Sequence, residues 1–224
     1  MASPPNLLND DGSASMATLF MMSHHAFRRD LARFARALSL PAGELRSAPL
    51  QQEWRFFHGA LHGHHQMEDN AVFAGMKAQH PDLAGCIEGL MQDHRRIDPL
   101  LERGDAAFAQ LPQATGDALA IVRELQALLD PHLTTEESQI APQLRGAKQF
   151  PAPGSDNELE MYAQGFAWST QGIAPQVVEQ VFTMLPPQLV ERLPAAREAF
   201  NQRCEQVWGS AQAGSATTPI PNGP

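Results

Sequence analysis

LQQEWRFFHGALHGHHQMED, residues 50–69, decides the fold. Steps of four and three through it visit Leu50, Trp54, Phe57, Leu61, His64 and Glu68, and further on Ala71 and Gly75. That rhythm is the apolar stripe of an amphipathic helix rather than the alternation of a strand. At one level the stripe turns polar. His64 and Glu68 stand four residues apart, so both stack on one helix face and aim where the core should be.

Three more stripes flank this one. The first passes through Phe20, His24, Phe27, Leu31, Phe34 and Leu38, within a helical stretch from Ser13 to about Leu40. Another, from Asp82 to about Gln110, takes in Leu83, Ile87, Leu90, His94, Ile97 and Leu101, with Asp82 as its expected cap. The last, from about Thr115 to Gly146, runs through Val122, Leu125, Leu129, His132, Glu136 and Ile140, with Pro131 expected to kink it. The quoted helix itself opens at Pro49, in its first turn, and ends near Gln79 before His80-Pro81. Four long helices with short connections and no hairpin signals predict an all-α, up-down-up-down four-helix bundle.

Residues at one height of an antiparallel pair lie equally far from the turn that joins them. His24 and His64 have their midpoint at position 44, inside the Pro41–Pro49 connection. For His64 and His94 it falls at 79, beside His80-Pro81, and for His94 and His132 at 113, beside Pro112. The four histidines should therefore share one layer with Glu68 and Glu136.

A single histidine on an apolar face is usually a core residue with a hydrogen-bond partner. Four at one level, together with two buried carboxylates, make that reading expensive, since an unpaired buried ion costs several kcal/mol. Metal cations offset this directly. Imidazoles with carboxylates suit zinc, iron or manganese better than calcium or magnesium. Six ligands exceed the need of one tetrahedral zinc, and a bundle core is a known setting for two-iron carboxylate sites, so two iron ions are expected. The metal ligands read from the sequence are His24, His64, Glu68, His94, His132 and Glu136.

Composition narrows the partners. The chain of 224 residues carries a formal charge of -9, and its lysines are Lys77 and Lys148 alone, a poor match to a phosphate backbone. Cys86 and Cys204 form no disulfide framework and read as inert thiols. The apolar run Met16–Met22 is short and follows no basic region, so neither a signal peptide nor a membrane span is expected, and a cytoplasmic location is. Residues 1–12 read as a flexible tail, 13–147 as the bundle, 148–208 as a C-terminal extension of shorter helices split by Gly172, Pro175, Pro186-Pro187 and Pro194, and 209–224 as a disordered tail. In that extension Val177, Val178, Val181, Phe182 and Leu185 form one apolar face, and Phe200, Cys204 and Val207 another.

Several polar residues read as something other than ligands. His58, His62, His65 and Asp69 form a neighbouring stripe, which reads as a solvated face with some support for the ligands in preference to a second metal site. Asp69, Asp93 and Asp98 are the carboxylates available to orient imidazoles. His25 points about 100° from His24, and Arg28, Arg29, Arg95 and Arg96 read as solvated. Met21, Met22, Met67 and Met91 are taken as core filling.

Together the segments HHAFRRDL (24–31), HHQMED (64–69), DHRRID (93–98) and HLTTEE (132–137) resemble the hemerythrin-like HHE cation-binding family, in its bacterial form with a C-terminal helical extension, over roughly residues 15–146. The resemblance implies an oxo- or hydroxo-bridged di-iron centre, with terminal roles for His24, His64, His94 and His132 and bridging roles for Glu68 and Glu136. Oxygen-carrying hemerythrins have a second histidine one turn after the first on the third helix, where this chain has Asp98. That departure favours reactivity toward O2, hydrogen peroxide or nitric oxide over reversible carriage. The expected function is a non-haem di-iron protein that binds or reacts with these small species, as a monomer or small homo-oligomer. The alternatives are an iron- or oxygen-responsive sensor without turnover, reporting through residues 159–208, and a reversible O2 binder. A ferritin-type oxidase fits less well, because those sites use a Glu-to-His step of three where this chain has a His-to-Glu step of four.

Overall fold

A computed structural model describes residues 6–209. Of the tails expected at residues 1–12 and 209–224, residues 1–5 and 210–224 lie outside the described residues. Among the described residues all regular structure is helical: α1 (Met16–Ala37), α2 (Ser47–Met67), α3 (Phe73–Gln79), α4 (Ala84–Ala109), α5 (Thr115–Gln139), α6 (Ala141–Leu144), α7 (Asp156–Ser169), α8 (Pro175–Phe182) and α9 (Pro187–Trp208). This is a helical bundle followed by C-terminal helices. The chain divides into two compact units, Asp30–Gln139 on one side and Met1–Arg29 with Ile140–Pro224 on the other.

In the Asp30–Gln139 unit the seams read from the sequence hold on α4 and α5 and on the C-terminal part of α1, where every seam residue is buried. Cross-helix pairs give the direction and register. Trp54, His62 and His65 on α2 meet Asp105, Asp98 and His94 on α4, and His94 and Arg103 meet His132 and Glu124 on α5. As one number rises the other falls, so both pairs run antiparallel, in the register that the turn midpoints predict.

The quoted helix departs from expectation after Glu68. Residues Glu68–Val72 form a π-helical turn, with the Phe73 N–H donating to the Glu68 carbonyl five residues back. That turn holds one more residue than an α turn, and the inward face moves on accordingly. Ala71 is exposed and Gly75 half-buried, while Phe73 and Met76 take the core positions. A further correction concerns Asp82. It does not cap α4, because it sits inside the 3-10 turn Pro81–Leu83 that precedes the helix. Helix α5 continues through Pro131, and the fourth stretch breaks at Ile140 before the short α6.

In the other unit Met16–Arg29 of α1 keeps its seam, with Phe20, His24 and Phe27 buried. Residues 6–12 are polar in sequence yet held in place. Leu7 and Leu8 are buried, and the Arg145 guanidinium donates to the carbonyls of Asn6 and Leu8 at 2.7 and 3.0 Å. Ser155 caps α7 by accepting from the Glu158 N–H at 3.2 Å, while the Glu158 carboxylate accepts from the Gly154 N–H, a reciprocal arrangement of the capping-box kind. Pro194 does not divide the last helix, as the sequence suggested. Leu189, Leu193, Ala196, Phe200, Cys204 and Val207 bury one continuous face of α9, and that packing outweighs a lost backbone bond. Arg29 is a second correction: it is 4% exposed, and its guanidinium donates to the carbonyls of Trp168 and Gln171 at 2.9 and 3.0 Å.

Candidate metal centre

In the Asp30–Gln139 unit, α2 brings His64 and Glu68 to consecutive turns, with His64 Nε2 3.1 Å from Glu68 Oε1. On α4, His94 sets its Nε2 3.5 Å from the other Glu68 oxygen. On α5, His132 Nε2 lies 3.4 Å from Glu136 Oε1. Three imidazoles thus turn the same ring nitrogen toward two carboxylates that have no exposure at all. His64, Glu68 and Glu136 each offer a ligand atom within 4.8 Å of one another. So, as a separate set, do His65, His94 and His132.

The surrounding carboxylates are ranked by distance. Asp69 Oδ1 is 3.0 Å from His94 Nδ1, which leaves Nε2 as the free inward nitrogen, and Asp93 Oδ2 is 3.7 Å from His132 Nδ1. A carboxylate behind a ligating imidazole fixes its orientation and raises its basicity. Asp98 does neither. Its carboxylate faces the half-buried His62 at 3.4 Å on the outer side of the α2–α4 pair. His58 is likewise turned outward to Asp105 at 3.0 Å.

His65 was missed. Expected on a solvated face, it is 2% exposed, with its ring stacked on His94 at 4.0 Å between centroids and 13° between planes. The available signal was its adjacency to His64. An inward arc on a bundle helix spans a little over 100°, enough for two successive residues to point in. Met67 is the opposite case, since it is 47% exposed rather than packed in the core. His24 is completely buried on the Met16–Arg29 part of α1, with its ring 4.4 Å from that of Phe20.

The electrostatics of the layer call for a cation. Burial holds His64 down to about 3, and it also lowers His94, against the opposing pull of Asp69. Burial pushes the Glu68 carboxyl well above the usual carboxylate range, and the charge of Asp69 acts in the same direction. As an ionised carboxylate, Glu68 accepts no hydrogen bond from any donor; a proton shared with Glu136 is the relief the protein itself supplies. A buried acceptor left in that condition costs free energy. Neutral imidazoles and ionised carboxylates are the forms that bind metal, so the donor set fits such an ion. Burial and the nearby Glu136 raise the Cys86 thiol, consistent with an unreactive sulfur.

The hemerythrin HHE cation binding domain matches residues 15–144, more than half of the chain. The chain belongs to the hemerythrin HHE cation-binding family. No match emerged among curated proteins or among solved structures. In this hemerythrin-like chain the matched span contains both histidine and glutamate groups described above. Among its described residues no helix is long and apolar enough to cross a membrane.

Proposed function

We propose that this hemerythrin-like protein is a non-haem di-iron protein that binds or reacts with O2, hydrogen peroxide or nitric oxide. In this reading residues 13–147 form the metal-holding module, and residues 148–208 extend it. Its ligands are His24, His64, His94 and His132 as terminal groups and Glu68 and Glu136 as bridges. The observation that carries the reading is the fully buried Glu68 carboxylate, faced by His64 and His94 nitrogens at 3.1 and 3.5 Å. His24 joins the set on the sequence argument, since its midpoint with His64 falls on the α1–α2 turn.

When bound, iron supplies an electron source and an open coordination position for a small ligand. The chain does the rest. Asp69 holds the Nδ1 proton of His94 and so presents Nε2 inward. Leu61, Ile97 and Leu129, next to the histidines on their own helices, are buried and keep water from the layer. Two carboxylates and neutral imidazoles leave a divalent pair partly uncompensated, which favours an anionic ligand.

Metal analysis with absorption spectroscopy tests the reading. Iron-supplemented protein should hold about two irons per chain, and its spectrum should change on adding peroxide or nitric oxide; Glu68→Ala should abolish both. Fewer than about one metal per chain overturns it.

One observation favours a sensor without turnover. The α1 segment that carries His24 is tied to the C-terminal helices through Phe27, whose ring meets Trp168 edge-on at 5.1 Å, and through Arg29. Iron loading that changes protease protection of residues 159–208, with no peroxide consumed, selects this version.

A further inference from the structure

The π-helical turn Glu68–Val72 changes which residues of the second helix share a face. His65 and Phe73 are eight apart, a separation that leaves an α-helix well off register. With one extra residue wound into the turn, the two come to the same side. Both then lie flat against one imidazole. Phe73 stacks on His94 at 5.8 Å and 15°, and His65 does so at 4.0 Å and 13°. The His65 ring also stands 5.6 Å from His132, edge to face.

We infer that His65 is itself a metal ligand, completing with His94 and His132 a three-imidazole site for one divalent first-row transition-metal ion. This inference rests on the di-iron reading above. The three side chains come from α2, α4 and α5, all are buried, and each offers a nitrogen within 4.8 Å of the other two. Neighbouring groups favour this set. Asp69 occupies Nδ1 of His94 and leaves its Nε2 for an ion. Asp98, the acidic residue one turn further along α4, is taken up by His62 and does not compete for the position. His64, Glu68 and Glu136 form a second set beside it. Within this unit the terminal donors therefore sort into a three-imidazole set and a set with His64, with the Glu68 and Glu136 carboxylates shared between them. Two ions placed there would differ in the number of imidazoles and so in spectroscopic environment.

The test uses full-length protein loaded with iron, with His65→Gln and His65→Gly as variants and far-UV circular dichroism to confirm their helices. Stoichiometry after dialysis against a weak chelator, together with Mössbauer spectra of 57Fe-loaded samples, gives readouts independent of turnover. Wild type should hold two irons in two distinct environments. Each variant should keep one, with the other weakened on the order of 100-fold or more, above the range typical of a supporting contact. Free imidazole added to His65→Gly should restore the second iron. Two tightly held irons in both variants would overturn the assignment of His65 while leaving the di-iron reading intact. A wild-type protein that fails to hold two irons instead brings down the di-iron reading, and this inference with it. Were both variants to lose their helical signal, the rescue would be read on wild type: cyanide binding that leaves one of the two Mössbauer doublets unchanged supports unequal sites, and equal shifts of both overturn them.

Discussion

About 15 Å apart along α2, two layers of the same unit solve the packing problem in opposite ways. At one, Trp54 stacks on Phe108 at 4.3 Å and 11°, and Phe34 meets Trp54, Phe57 and Phe108 edge-on at 5.3 to 5.7 Å. The indole N–H donates to Asp105 at 2.8 Å, so the single polar group of the cluster is satisfied. Gly104 lets the helices approach, because a Cβ there would lie 2.0 Å from the Trp54 ring. At the other layer the same seams carry His64, Glu68, His94, His132 and Glu136, equally buried. The aromatic layer is complete within the chain. The polar layer holds donors and acceptors that an ion would satisfy and that the chain satisfies only in part. Stability should therefore reside at the aromatic end, and metal dependence at the polar end.

The largest effect expected is at the aromatic end. Trp54→Ala removes the central ring and should lower unfolding free energy by about 3–5 kcal/mol in iron-loaded and chelated protein alike. Gly104→Ala should follow, at about 1–3 kcal/mol or more, because Trp54 is held by Phe108 and Asp105 and has nowhere to move. Chemical denaturation of both forms checks this. If either substitution released iron before it lowered the denaturation midpoint, the two layers would not be independent.

The contrast also explains what could be read in advance. On α1, α4 and α5 every seam position that helical periodicity named is buried, since burial there follows the 3.6-residue repeat. The polar level was legible for the same reason, as an interruption of an otherwise apolar stripe. On the second helix the method failed one turn past Glu68, where the π-helical turn added a residue. Nothing in EDNAV announces that turn, so Ala71 and Gly75 were named for positions that Phe73 and Met76 fill. His65 was misplaced because a one-position stripe admits one residue per turn, while this helix buries two neighbours. Arg29 was unreadable from local pattern, because its partners, the carbonyls of Trp168 and Gln171, lie some 140 residues away in the chain and belong to a helix end.

Of smaller size, and opposite in sign between two states, is the effect of Glu68→Gln. In chelated protein the amide needs no counter-charge, and stability near neutral pH should rise by about 1–3 kcal/mol, the usual cost of an unsatisfied buried acceptor. In iron-loaded protein the same change removes a ligand and should lower the midpoint. Thermal denaturation with and without chelator reads both. A loss in both states would show that Glu68 is already satisfied by its neighbours, and the claimed difference between the layers would collapse.

The smallest effect concerns pH in the chelated protein. His64 is held down to about 3 by burial, against an ordinary value of 6.5. Between those values the unfolded chain binds a proton that the folded one refuses, so the contribution of this group is full above about pH 6.5 and is lost as pH falls. From pH 6.5 to 5.5 the loss should be about 1 kcal/mol for this group; the lowering of His94 acts in the same direction and the raised Glu68 carboxyl acts against it. Substituting His64→Leu should flatten that slope, whereas Trp54→Phe should leave it intact, because the aromatic ring cluster holds no titratable group in this range. Denaturation midpoints of the two variants across this interval separate a titrating polar layer from a general acid effect. Equal slopes in both would place the proton uptake elsewhere in the chain and remove the electrostatic half of the contrast.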